Sequence, residues 1–140
     1  MEFLIGVILA IAVGLFATTT GLDRDKAFYP TVMIVIAFYY ALFAVIGGST
    51  QALLSELIVI LVFVGLSVAG FKLSLWLVVA ALAAQGCYDL VHDYLYVTPG
   101  VPPFWPHFCF AYDIVAAAYL AWRLLHAQTQ SSFASSSRAV

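Results

Sequence analysis

The chain has 140 residues, of which 65% are hydrophobic and only 9% are charged, and its mean hydropathy is +1.08. Such a composition leaves too few polar side chains to coat a water-soluble domain of this length, so it predicts an integral membrane protein. The net charge is −2, and the sequence has neither a basic run nor a glycine-rich phosphate loop. These features exclude nucleic acids and nucleotides as expected partners.

Hydropathy divides the chain into five apolar segments of about twenty residues, the length at which a helix crosses ~30 Å of hydrocarbon. The segments are 3–21, 28–47, 52–69, 72–96 and 107–126. Glycine pairs, charged residues and prolines separate them, as is typical of turns. We therefore predict an all-α fold, in which residues 1–127 form a bundle of five transmembrane helices and residues 128–140 form a disordered cytoplasmic tail.

The basic residues would all lie at one face of this bundle. They are Arg24, Lys26, Lys72, Arg123 and Arg138. The positive-inside rule makes this face cytoplasmic and places the N-terminus outside. We accordingly expect a multi-pass protein of the inner cell membrane, surrounded by bilayer lipid. The alternating charges of residues 23–26 predict a solvated turn, and Arg123 is expected to extend to the membrane interface.

Acidic residues within the apolar segments are the strongest indication of function. Glu56, Asp89 and Asp113 lie one to two helical turns from the outer end of three different segments, at 5.4 Å per turn. An ionised carboxylate costs at least ~2.5 kcal/mol in hydrocarbon, so such a group must be paired, protonated or hydrated. Intramembrane acids are therefore candidate functional residues.

Helical periodicity predicts which faces carry these acids. On the fourth segment, steps of three and four give one polar stripe, with Asp93 at its edge: Ser74, Val78, Ala81, Gln85, Asp89, His92 and Tyr96. Glu56 shares its face with Ala52, Phe63, Ser67 and Gly70, and Asp113 shares its face with Cys109, Ala117 and Leu120. On the first segment, small residues repeat at steps of four: Gly6, Ala10, Gly14 and Thr18. Small residues beside polar ones predict close contact between helices.

The group Glu56, Asp89, His92, Asp93 and Asp113 is open to three interpretations. The first is a metal site, in which Asp89 and His92 on one helical face, with Asp113 and Glu56, bind a divalent ion such as Zn, Fe or Mn. The second is acid and base catalysis by Asp89, His92, Asp93 and Asp113, or proton or cation transport by the same groups. The third is interhelical packing through polar contacts.

The loop from Thr98 to His107 is the second distinctive element, because its four prolines make it stiff. Its aromatic residues, Phe104 and Trp105, are typical of the headgroup region. The alternative is a lid over the acids that brings His107 to the rim of the site. The two cysteines, Cys87 and Cys109, lie on different predicted faces, which argues against a disulfide.

The expected function is that of a small membrane enzyme or binding protein for an amphiphilic or isoprenoid-like ligand, held in a pocket open toward the outer face. The expected ligand contacts are Glu56, Gln85, Tyr88, Tyr96, Trp105, His107 and Tyr112. One alternative is a non-catalytic subunit of a larger membrane complex. Another is a homo-oligomer that works as a proton-coupled transporter or channel.

Overall fold

The computed structural model describes residues 1–95 and 98–137, apart from the side chains of Asp93 and of residues 130–137. The described chain is all-α. Its helices are α1 (Glu2–Thr20), α2 (Phe28–Ile46), α3 (Thr50–Lys72), α4 (Leu75–Leu95) and α5 (Trp105–Ser137). Each of the five is long and apolar enough to cross a membrane, which confirms the prediction of a membrane helix bundle at this level.

The helix boundaries lie close to the predicted segments, with one extension. Helix α5 continues through Ser137, whereas the fifth segment was predicted to end at residue 126 and the tail to begin at residue 128. Tyr96 and Arg138 lie outside the described residues, and so does the side chain of Asp93.

Local sequence explains why the helices begin and end where they do. Helix α1 ends at Gly21, which adopts a left-handed conformation with φ of 79°, a backbone shape that glycine reaches without steric cost. Helix α3 begins after Ser49, whose side chain accepts a hydrogen bond from the backbone N–H of Ala52 at 3.1 Å. This contact satisfies one of the free N–H groups of the first turn.

The surface of the bundle is apolar along its length. Ile58, Leu61 and Val62 on α3 are all more than half exposed, as are several large side chains of α1 and α2. A water-soluble protein rarely exposes so much contiguous apolar surface, whereas lipid tails solvate it well. Inside, Met33, Leu82 and Leu120 are almost completely buried.

Helix packing follows a simple order. Helix α4 packs against α5, α5 against α1, α2 against α3, and α3 against α4. Helices α1 and α5 are parallel, because Gly6 faces Phe108 whereas Gly14 faces Tyr119. A Cβ atom built on Gly6 would overlap the carbonyl oxygen of Phe108, so the predicted small-residue face of α1 is confirmed as a packing surface.

Two ends of the bundle can now be defined. We call the end that holds Glu56, His92 and residues 98–104 the cluster end. We call the opposite end, which holds the turn at Leu22–Arg24 and the side chain of Arg123, the basic end.

Candidate functional site

Glu56 is the centre of a buried hydrogen-bond network at the cluster end. It lies in the second turn of α3, and its side chain is 1% exposed. Its Oε1 atom is 2.7 Å from His92 Nε2 on α4 and accepts a second 2.7 Å hydrogen bond from Thr98 Oγ1 in the loop before α5. Tyr88 donates to Oε2 at 3.3 Å. Because the acceptor is a carboxylate, Nε2 of His92 is the donor in the first of these bonds.

Tyr40 connects this network to the next acid. Its hydroxyl group donates to Asp89 Oδ1 at 2.8 Å, and its ring stacks on the His92 ring with centroids 4.1 Å apart. Both Tyr40 and Asp89 are buried. Helix α2 therefore contributes to the site through Tyr40, a residue that the sequence did not predict as part of it.

A second group of polar atoms has no hydrogen-bond partner among the described residues. Both carboxylate oxygens of Asp113 belong to it, together with Asp89 Oδ2, Gln85 Oε1 and Ser67 Oγ. All four residues are buried. Helices α4 and α5 approach closely here, since a Cβ atom built on Gly86 would lie 3.3 Å from Asp113 Cβ. Acceptor oxygens without donors are costly in an apolar interior.

The proline-rich loop does fold over Glu56, but Thr98 is the residue that it brings to the carboxylate. Gly100 has a φ of +96°, and a Cβ atom there would overlap the backbone oxygen of Phe43 at the end of α2. Trp105 packs on the rings of Phe43 and Tyr39, with centroids 4.8 and 4.9 Å away. These contacts fix the loop against α2.

His107 does not reach the buried acids. It is exposed, and its ring packs edge-on against Phe3 of α1 with centroids 5.2 Å apart. The predicted delivery of His107 to the rim of the site is therefore not observed. The reason is geometric: His107 lies in the first turn of α5, on the side that faces α1 rather than α4.

The described side chains close tightly around Glu56. The space between α2, α3 and α4 beside Glu56, Gln85 and Tyr88 has a volume of only about 10 Å³, room for one water molecule at most. This space is far smaller than the ligand pocket that the sequence predicted at these residues. Within the described part of the chain there is no group of three or more His, Cys, Asp and Glu side chains arranged to hold a metal ion.

A much larger cavity lies between α1 and α2. Because these two helices do not pack against each other along the described chain, they leave a groove of about 590 Å³ with α5 as its floor. Two predicted ligand contacts, Trp105 and Tyr112, line this groove, whereas Glu56, Gln85 and Tyr88 line the small space behind α2. The structure therefore divides the predicted ligand contacts between two places.

The basic end holds a polar network that sequence reasoning missed. Asp23 Oδ2 lies 2.9 Å from Arg123 Nη1 and accepts a 2.7 Å hydrogen bond from Thr18 Oγ1. The Thr18 hydroxyl has one proton, which it donates to Asp23, and two lone pairs that remain free to accept. It therefore accepts a hydrogen bond from Arg123 at 3.0 Å and another from the hydroxyl of Tyr119 at 2.7 Å. The side chain of Asp23 is only 1% exposed.

This network corrects one prediction made for the basic end. The side chain of Asp23 is not solvated as the predicted turn required, because it is buried against Arg123. No local signal reveals the pair, since its members lie in the first turn between helices and in the last helix.

The free thiols are placed as expected, with Cys87 exposed and Cys109 buried.

Comparison of the chain with known protein families, with curated proteins and with solved structures found no match. The site geometry alone therefore supports the functional argument.

Proposed function

We propose that this membrane protein binds the hydrocarbon chain of an amphiphilic lipid in the groove between α1 and α2. The observation that carries the proposal is the groove itself. Its volume of about 590 Å³ lies within the range of ~300–1,000 Å³ that is usual for small-molecule sites. Most of its lining is apolar, including Leu9, Val32, Val35 and Phe108.

The groove is elongated along α2. It extends from Phe28 to Tyr39, which corresponds to ~17 Å at 1.5 Å per residue. An apolar groove of this length suits an extended hydrocarbon chain.

Polar groups at the two ends of the groove suggest how the ligand is oriented. Trp105 and Tyr39 lie toward the cluster end, and the buried indole N–H of Trp105 has no acceptor among the described residues. Asp25 lies at the other end. A headgroup with a carbonyl or hydroxyl acceptor would therefore be favoured beside Trp105, and an anionic headgroup would be disfavoured beside Asp25.

The proposal concerns binding and not catalysis, because the candidate catalytic residues do not line the groove. Asp89, His92 and Asp113 are turned toward the interior of the bundle, and Cys109 and Tyr112 form the floor of the groove on the neighbouring face of α5. Asp25 does line the groove, but it lies at the basic end and is not one of the predicted catalytic residues.

Tryptophan fluorescence tests this proposal directly. In a Trp76→Phe/Trp122→Phe background, Trp105 is the remaining tryptophan, and a brominated single-chain fatty acid should quench it in a saturable manner. Val35→Phe fills the groove and should weaken saturable quenching at least several-fold. The matched control, Val62→Phe, adds the same ring to the exposed face of α3 and should leave the saturable quenching unchanged. Quenching that rises linearly without saturation in all variants would reject the groove as a binding site.

A further inference from the structure

Asp113 is the described acid whose charge is least compensated. Its side chain is completely buried, and neither carboxylate oxygen has a hydrogen-bond donor in the described structure. The other buried acids differ in this respect. Glu56 accepts three hydrogen bonds, and Asp89 accepts one from Tyr40. An ionised carboxylate in this position would be shielded from bulk solvent and would have no donor among the described residues to stabilise it.

No lysine or arginine within residues 1–95 and 98–137 lies near enough to neutralise Asp113. Lys72 and Arg123 lie at or near the basic end, and Arg123 is already paired with Asp23 at 2.9 Å. The imidazole of His92 is bonded to Glu56. A proton on Asp113 would remove the charge and would also supply a donor where only acceptors are present.

Asp89 on α4 is the neighbouring acceptor for such a proton. Helices α4 and α5 approach closely beside Asp113, since a Cβ atom built on Gly86 would lie 3.3 Å from Asp113 Cβ, and Asp89 follows Gly86 by about one helical turn. The Oδ2 atom of Asp89 has no donor among the described residues. The two buried acids thus present unsatisfied oxygens at the α4–α5 interface, which is an arrangement that a bound proton stabilises.

We propose that Asp113 is a reversible proton-binding site, with Asp89 as the neighbouring acceptor across the α4–α5 interface. The other titratable groups that face this region are Tyr40 from α2, bonded to Asp89, Cys109 and Tyr112 from α5, and Glu56 from α3, bonded to His92. Helix α1 packs on this part of α5 with the non-titratable residues Phe3 and Gly6. The Tyr40–Asp89 hydrogen bond and the Tyr40–His92 stack connect the site to the Glu56 network. This inference does not depend on lipid binding in the groove.

A lipid-soluble carbodiimide, dicyclohexylcarbodiimide, provides the test. It reacts with a protonated carboxyl group: the acid oxygen adds to the central carbon, the acid proton moves to one nitrogen, and the acyl group then shifts to the other nitrogen. No atom leaves, so the product is a stable N-acylurea of known mass. Mass spectrometry of the full-length protein in membranes should locate this adduct on Asp113, and Asp113→Asn should lose it.

The pH dependence of the labelling distinguishes a reversible site from a permanently protonated one. Above its midpoint, labelling should fall by about tenfold per pH unit, because the protonated fraction falls by that factor. Labelling that does not change with pH would overturn reversibility, and failure to label Asp113 at any pH would overturn the site. Protection by Na⁺ at constant pH would also overturn the proposal, since it would indicate a cation site instead.

Infrared spectroscopy of the unmodified protein tests the site without any variant. A carbonyl band of a protonated carboxylic acid should be present at low pH and should disappear with the same midpoint as the carbodiimide labelling. A different midpoint would contradict the assignment. Asp89→Asn should retain the Asp113 adduct with a shifted midpoint. An adduct located on Asp89 of the unchanged protein and lost in this variant would show that Asp89 and not Asp113 holds the proton.

Discussion

The carboxylate of Asp23 and the guanidinium of Arg123 form an ion pair 2.9 Å long between the first turn of the chain and its last helix. Thr18 donates to the same carboxylate oxygen of Asp23 and is itself bonded to the hydroxyl of Tyr119. The pair connects α1, the turn before α2, and α5 at the basic end. It thereby holds the helices together at the basic end of the groove between α1 and α2, while Trp105 packs on Phe43 at the cluster end.

Breaking this pair should destabilise the bundle. Arg123→Gln leaves the buried carboxylate of Asp23 without its counter-ion, and we expect a loss of about 2–3 kcal/mol in the free energy of unfolding, since Arg123 itself is partly exposed. Thermal unfolding in detergent would measure the effect. Asp23→Asn/Arg123→Gln should recover part of the loss.

The matched control for the ion pair is Arg24→Gln, which removes an exposed base from the same end of the bundle. We expect its unfolding temperature to equal that of the unchanged protein. Equal destabilisation by Arg24→Gln and Arg123→Gln would show that overall charge, and not the pair, is responsible.

The bond from Thr98 to Glu56 should stabilise the loop over the cluster end. Thr98→Val removes the 2.7 Å donor while keeping the branched shape of the side chain, and we expect a loss of about 1–2 kcal/mol. Glu56→Ala should cost more, because His92 and Thr98 both lose this acceptor. Ser55→Ala is the control, since its hydroxyl bonds only to the preceding turn of α3. The prediction is wrong if Thr98→Val and Ser55→Ala unfold at the same temperature.

Two glycines provide a paired test of the contact between α1 and α5. A methyl group on Gly6 would overlap the Phe108 carbonyl, whereas nothing lies within 4 Å of one on Gly65. Both substitutions to alanine gain the same intrinsic helix propensity. Gly6→Ala should therefore be less stable than Gly65→Ala by about 1–3 kcal/mol, a typical cost of overpacking, as measured by unfolding in detergent. A difference near zero would mean that α1 moves aside freely.

The orientation predicted from the basic residues can be tested with single cysteines. In a Cys87→Ala/Cys109→Ala background, Thr50→Cys lies at the cluster end and Ser74→Cys at the basic end, and both positions are exposed. With the basic end in the cytoplasm, a membrane-impermeant maleimide added to intact cells should label residue 50 and should label residue 74 only after permeabilisation. The reverse pattern would invert the orientation.

The positions of the helices, and the side of α4 that is buried, were predictable from the sequence because both follow from short-range patterns. A run of apolar residues defines a span, and a spacing of three and four residues identifies the buried side of α4. Gln85, Asp89 and His92 are indeed buried, whereas Cys87 and Val91 are exposed. These features depend on one helix at a time.

Thr98, Tyr40 and the groove were not predictable in the same way. Thr98 belongs to a loop without periodicity, and its partner is on another helix. Tyr40 does share a helical face with Met33, Ala37 and Ala44, which are all buried. Its position one turn after Ala37 was therefore a usable indication that Tyr40 is buried as well. The groove depends on which helices do not meet, and such an arrangement has no local sequence pattern.

The packing order of the helices has a consequence for biogenesis. Helices α2, α3 and α4 can each pack on the next helix as it leaves the ribosome, but the main partner of α1 is α5, which is synthesised after the other three. Until α5 is inserted, the glycine face of α1 lacks its partner and Asp23 lacks Arg123. Insertion of α5, rather than insertion of the first helices, is therefore the step that completes the packing of α1.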